Sequence, residues 1–393
     1  MLMGLVVALI ALQYRRSESS RAAMFGVKSA RMWKDTAVAT LLGIGGGLVG
    51  SILMIMVGLP LTGSGSVFVL LLVTAGLLML ISPRFLCFAY SGGIISLLNI
   101  LAGWPHVNIS QVLALVALLH MVESILIFFS GHLGAVPAFF GDRSNRAVGG
   151  FTLQKFWPIP LVALTVLESS YSTDAFKLMP GWWPLIKPGV EVGQANIGYA
   201  LVSLVAGLGY GDLAIAHNPM EKSRLSSIYL ALYSAILFLL SVFAQYFWVF
   251  ALTAALFSPL GHELVIYIGR KTELAGRPLY TVPDRGVRVL DVLVGSTAWN
   301  IGIRSGDVLM AANGTPLLNQ YDLRAATNNT LGPVEIEYLH GPGQEYKRSV
   351  TFPQDHQHSL GVLPVYEGGY RLEINASGPL WRKIIFWWRK NKR

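Results

Sequence analysis

Charge is what this chain has least of. Aspartate, glutamate, lysine and arginine make up 13% of its 393 residues, about half the share of an ordinary soluble domain. The shortage is uneven: residues 1–269 hold 24 charged residues and the remaining 124 hold 27. The first segment lacks the polar surface that water demands, which excludes a soluble globule and implies lipid as its solvent. The second has globular composition, and the change sets a boundary near Gly269–Arg270. Cysteine is almost absent too. Cys87 stands alone in an apolar run, which excludes an intrachain disulfide and, on this reading, a cysteine-based zinc site. No basic stretch precedes the apolar part of the opening MLMGLVVALIALQYRR, which argues against a cleaved signal peptide. That apolar part is about a dozen residues where a span needs roughly 20. We expect a partial helix there or a start that has lost residues upstream, the second being favoured.

Apolar runs are abundant. They read as spans at 36–59, 67–82, 85–103, 109–130, 156–170, 192–215 and 225–268. The last is too long for one crossing, and the step Gln245-Tyr246-Phe247-Trp248 is where it would turn. With the opening segment, this predicts an α-helical polytopic membrane domain of eight or nine helices over 1–269. The formal net charge of +9 is carried in short loops and in the final tail, a pattern that reports membrane orientation rather than nucleic-acid binding. The loop 15–34 carries Arg15, Arg16, Arg21, Lys28, Arg31 and Lys34 and is expected to be cytoplasmic. Alternation then places Arg84, the Arg143/Arg146/Lys155 loop and the Lys222/Arg224 loop on the same side, together with the C-terminal domain.

Glycines at 43/47 and 46/50, and again at 207/211, have the spacing that lets helix backbones approach closely. Ionisable groups at membrane depth are costly and mark candidate sites. His120 and Glu123 lie mid-span, three apart on one helical face. They suit a hydrogen-bonded pair locking the bundle, ion or proton handling, or metal ligation. Asp212, His262 and Glu263 lie near other span ends. The zinc motif of membrane metalloproteases, HExxH, needs two imidazoles one turn apart. The nearest match, His262-Glu263-Leu264-Val265-Ile266, puts isoleucine at the second ligand position, so no metal, cofactor or catalytic residue is expected.

After Arg277 short strands take over. Val287-Arg288-Val289 opens a β-run, Ser296 or Thr297 caps a turn of helix, and Asn313-Gly314 signals a hairpin turn. Asn319 caps a short helix, and Val334/Ile336/Tyr338 alternate as a half-buried strand does. The stretch GSTAWNIGIRSGDVLMAANGTPL resembles the PDZ consensus in its glycine, apolar and Gly-Asp positions. The resemblance implies a small α/β PDZ domain over 270–378, which binds a peptide as an added strand while loop N–H groups hold its carboxylate. Leu360, Gly361, Val362 and Leu363 resemble the apolar-Gly-apolar carboxylate loop in the permuted order of bacterial PDZ domains, with Tyr321 and Leu323 on the facing helix. Glycine at 361 would let a bound peptide approach closely; Gly286 is the glycine of the rival loop. The tail 379–393 spaces Trp381, Ile384, Ile385 and Trp388 among six basic residues, which suits an anionic membrane surface.

The stretches HMVESILIFFSGH, VGGFTLQKFWPIPLV and SPLGHELVIYIGR, ahead of this domain, resemble the MinJ family of Gram-positive bacteria. The resemblance implies a plasma-membrane scaffold for division-site placement, at septum and poles, linking a DivIVA-like polar protein to a MinD-like inhibitor. It brings no catalytic residues. The alternatives are a metalloprotease-like membrane hydrolase or its regulatory subunit, and an ion or small-solute transporter using His120 and Glu123.

Overall fold

The computed structural model describes residues 2–26, 32–61, 66–141, 147–169, 180–188, 196–328, 333–341, 345–351 and 360–365. The Trp-rich tail 379–393 lies outside the described residues.

Helices α1 (Leu2–Phe25), α2 (Met32–Val57), α3 (Ser66–Met79), α4 (Phe88–Ala102) and α5 (Ile109–Ser130) lead into a β ribbon, and α6 (Pro219–Phe243) and α7 (Trp248–Ala275) follow it. Among the described residues, four helices are long and apolar enough to cross a membrane: α2, α5, α6 and α7. The apolar run at 225–268 is broken at Ala244–Phe247, between α6 and α7. Asn218 and Glu221 close a capping box on α6, with proline in its first turn, so the orphan N–H groups of that helix end are partly satisfied.

Two expected spans are not helices. The runs at 156–170 and 192–215 form strands β3 (Ala147–Ser169) and β4 (Asn196–Ala214), paired antiparallel from Phe151↔Ala214 to Ser169↔Asn196. The sequence reason is plain in β3. Pro158 and Pro160 would break a helix interior, yet they suit an edge whose outward N–H positions need no partner. That edge of β3 pairs with β2 (Val136–Gly141) at one end and with β1 (Pro60–Leu61) at the other. Between them α2 covers it. A Cβ at Gly43 or Gly47 would collide with the carbonyl oxygens of Pro158 and Pro160. The next outward N–H, that of Val162, donates to Ser51 Oγ at 2.8 Å. The glycine spacing in α2 thus serves two partners: 43/47 meet a strand, 46 meets Leu126 of α5, and 50 meets both Leu161 of β3 and Val122 of α5. Gly207 and Gly211 lie on β4, where no helix–helix reading applies.

The two apolar runs at 67–82 and 85–103 also depart from expectation. Helices α3 and α4 have 14 and 15 residues. At about 22 Å, α4 falls short of the roughly 30 Å hydrocarbon core. It begins beside the middle of α5 and α7, because Cys87 at its N-cap meets His120 and His262. Arg84, in the turn before α4, pairs with Glu263 of α7 at 3.2 Å instead of lying in a loop beyond the bundle.

The C-terminal unit is a small α/β domain. Strands β5 (Val287–Val292), β6 (Val308–Ala312), β7 (Thr315–Pro316), β8 (Val334–His340), β9 (Glu345–Thr351) and β10 (Val362–Pro364) form one sheet in the order β10-β5-β6-β8-β9, with β7 on β6. Helices α8 (Thr297–Asn300) and α9 (Gln320–Asn328) complete it. One face of this sheet packs its own core of Val289, Val292, Leu309, Leu323, Ile336 and Leu360. The other face of β5 and β10 presents Leu290, Leu363 and Val365 to the membrane domain. Gly149 of β3 bridges to Tyr280 (N···O 2.8 Å), and Arg21 of α1 pairs with Asp291 at 3.4 Å. The domain therefore docks against the end of α1 that carries Arg21 and against the start of β3.

Candidate functional sites

Two places gather the predicted residues. The first is the outer edge of the C-terminal sheet. Gly306 and Asp307 shape the turn that precedes β6. The Asp307 carboxylate, nearly buried, accepts from the Arg304 N–H (2.8 Å), His340 Nδ1 (3.0 Å) and the Gly341 N–H (3.2 Å). Gly306 takes φ +96°, a region open mainly to glycine. Across β5, the Leu360 carbonyl accepts from the Ala298 N–H and the Gly361 carbonyl from the Leu293 N–H, at 3.0 and 2.8 Å. Alternation along β10 then directs Leu363 backbone groups at β5 and Val362 groups outward, from the last strand of the sheet. Leu360, Val362 and Leu323 share one core, so the fold brings the predicted loop and helix together. Tyr321 is exposed on α9, and the Leu363 side chain packs toward the membrane domain. Gly361 has a role the sequence did not reveal. Its φ is +74°, and a Cβ there would collide with Ser296 of the same domain. The glycine is required by the turn itself. Gly286, of the rival loop, is similarly constrained by the Leu309 carbonyl and a φ of +84°.

The second place lies inside the bundle. Cys87 Sγ is 3.0 Å from His120 Nε2 and 3.6 Å from His262 Nε2, and the three donor atoms lie within 4.8 Å of one another. Three helices supply them. Ser258 of α7 donates to the Ala89 carbonyl of α4 at 2.7 Å, and Pro259 closes on Gly93, which fixes α7 against α4 one turn from His262. His120 Nδ1 is 2.7 Å from the Val116 carbonyl. A carbonyl can only accept, so Nδ1 carries the proton and Nε2 presents its lone pair to the cluster. The Ala89 N–H points at Cys87 Sγ from 3.4 Å. His262 Nδ1 is buried with no hydrogen-bond partner among the described residues. Glu123 brings a carboxylate oxygen to 3.9 Å from His120 Nε2. The rings of Tyr90 and Tyr233 stand edge-on to His262.

The remaining predicted groups are engaged elsewhere. Asp212 pairs with Lys222 at 3.1 Å and accepts from Ser226 at 2.7 Å, which ties β4 to α6. Glu263 accepts from Tyr90 at 2.7 Å besides its pairing with Arg84. The expectation that one cysteine precludes a cysteine-containing donor set is corrected by this geometry. Spacing along the chain shows only ligands close in sequence, whereas His120 and His262 come from separate helices.

No protein-family model matches the chain. The "Cell division topological determinant MinJ" of Bacillus subtilis (strain 168) is 22% identical over 266 residues, covering 66% of this chain and 61% of that protein. The chain thus spans less than two thirds of that relative's length. Among solved structures, the PDZ domain of the SdrC-like protein from Listeria monocytogenes is 19% identical, with a TM-score of 0.19, covering 22% of this chain and 93% of that one.

Proposed function

We propose that this chain is a membrane-embedded scaffold whose C-terminal α/β domain is of PDZ type and captures a partner's peptide on the cytoplasmic side. The observation that carries this reading is the edge strand β10. It follows a left-handed glycine, ends its sheet among the described residues, and shares a core with α9 through Leu360, Val362 and Leu323. A peptide added there gains main-chain bonds from the outward Val362 groups and side-chain contacts along α9. Pro364 offers only a carbonyl, so the edge takes a short segment, which suits the end of a chain. Distant similarity to a division-site determinant supports a role in division-site organisation, with DivIVA-like and MinD-like proteins as partners and no catalysis by the chain itself.

The test is co-purification from detergent extract with full chain, with chain ending at Gly276, and with Tyr321→Asp. Tyr321 is 68% exposed, so this change spares the fold. Partners that bind the full chain should be lost with the truncation and weakened with Tyr321→Asp. Identical partners in all three would overturn the reading. A fluorescent fusion should concentrate at septa and poles, and a uniform membrane signal would remove the division-site part.

A further inference from the structure

We infer that Cys87, His120 and His262 form an intramembrane site for a thiophilic d10 metal ion, Zn2+ or Cu+. The donor chemistry comes first: one sulfur and two imidazole nitrogens are the set that such ions select. Distance comes second. A tetrahedral ion with Zn–S near 2.3 Å and Zn–N near 2.0–2.1 Å holds its sulfur and nitrogen donors roughly 3.5 Å apart. The Cys87–His262 separation of 3.6 Å meets this, and the Cys87–His120 separation of 3.0 Å opens to it by a small side-chain shift. Preparation of the donors comes third. The Val116 carbonyl fixes the His120 tautomer that a metal requires, as outer partners of ligating histidines do. The Ala89 N–H at the α4 N-terminus points at the sulfur and would hydrogen-bond a metal-bound thiolate. Glu123 is available as a fourth donor, 3.9 Å from His120 Nε2.

Binding displaces the thiol proton and fastens the inner end of the short helix α4 to α5 and α7. The site as described is a structural pin, and nothing in it requires a reaction.

The chain has one thiol, so every thiol signal belongs to Cys87. Full-length protein in detergent, purified without chelator, should carry about one ion per chain, with elemental analysis distinguishing zinc from copper. Stripping with a chelator should raise the rate of Cys87 alkylation by roughly tenfold or more, and returning Zn2+, or Cu+ under reductant, should reverse it. Co2+ loading should give a thiolate-to-metal charge-transfer band, lost in Cys87→Ser and in His262→Gln. The wild-type measurements stand alone if those variants fail to fold. Folded wild-type protein that holds neither ion after reconstitution, with alkylation unchanged by metal, would overturn the site.

Discussion

Ser51 shows how a single side chain settles a problem set by lipid. Backbone groups at membrane depth have no water to bond, and β3 turns an edge of alternating N–H positions toward α2. Two of these positions are prolines, and the third, Val162, is met by the Ser51 hydroxyl. Ser51→Ala should therefore cost about 1–3 kcal/mol, the price of a stranded donor, read as a lower midpoint in detergent-titrated unfolding. Gly47→Val should be worse, since its side chain meets the Pro160 carbonyl in a packed interface where overfilling costs about 1–3 kcal/mol or more. In the C-terminal domain, Gly361→Val should unfold the β10 turn rather than report on peptide binding, with loss of the domain's circular dichroism as the readout. The sequence displayed Gly361 and its apolar neighbours but gave no sign of Ser296, because that contact depends on where β10 lies against the α8 turn. The intramembrane cluster was half visible. His120 and Glu123 stood out at one helical spacing, whereas Cys87 joins them only through the fold.

At the scale of elements, the long apolar helices were readable and the ribbon was not. Hydropathy alone does not separate a buried strand from a buried helix. The signals that do were present: prolines two apart at 158 and 160, and glycines two apart at 207, 209 and 211. Both sets have the period of a strand. In the C-terminal part, alternation was cleaner because one sheet face meets water, and the strands at 287–289 and 334–338 were legible. The ribbon makes a sharp prediction about register. Val162 lies opposite Ser203, in a pair that by alternation carries no mutual backbone bonds and brings side chains closest. In a Cys87→Ser background, Val162→Cys with Ser203→Cys should oxidise to a disulfide, found by mass spectrometry of the linked peptides. Val162→Cys with Val202→Cys should not, because successive residues point to opposite faces. Equal cross-linking of both pairs would contradict the strand pairing.

For the whole molecule, Arg21 pairs with Asp291 and Gly149 bridges to Tyr280, while the alternation of basic loops rested in part on runs that form strands instead of spans. The C-terminal domain and the end of α1 that carries Arg21 lie together. Thr315→Cys, on the exposed strand β7 and again in a Cys87→Ser background, should be labelled by an impermeant thiol reagent only after permeabilisation. Labelling of intact cells would invert the topology. The docking face itself was invisible in the sequence, since Leu290, Leu363 and Val365 read as ordinary strand residues. The ribbon also has a mechanical side. Strand β3 meets the C-terminal domain at Gly149, two residues before its ladder with β4 begins at Phe151, and meets β1 at Leu164 and Thr165. A hydrogen-bonded ribbon of this kind resists stretching along its length. Such a ribbon would act as a strut through the bundle, and a tilt imposed on the C-terminal domain is expected to reach β1 as a tilt.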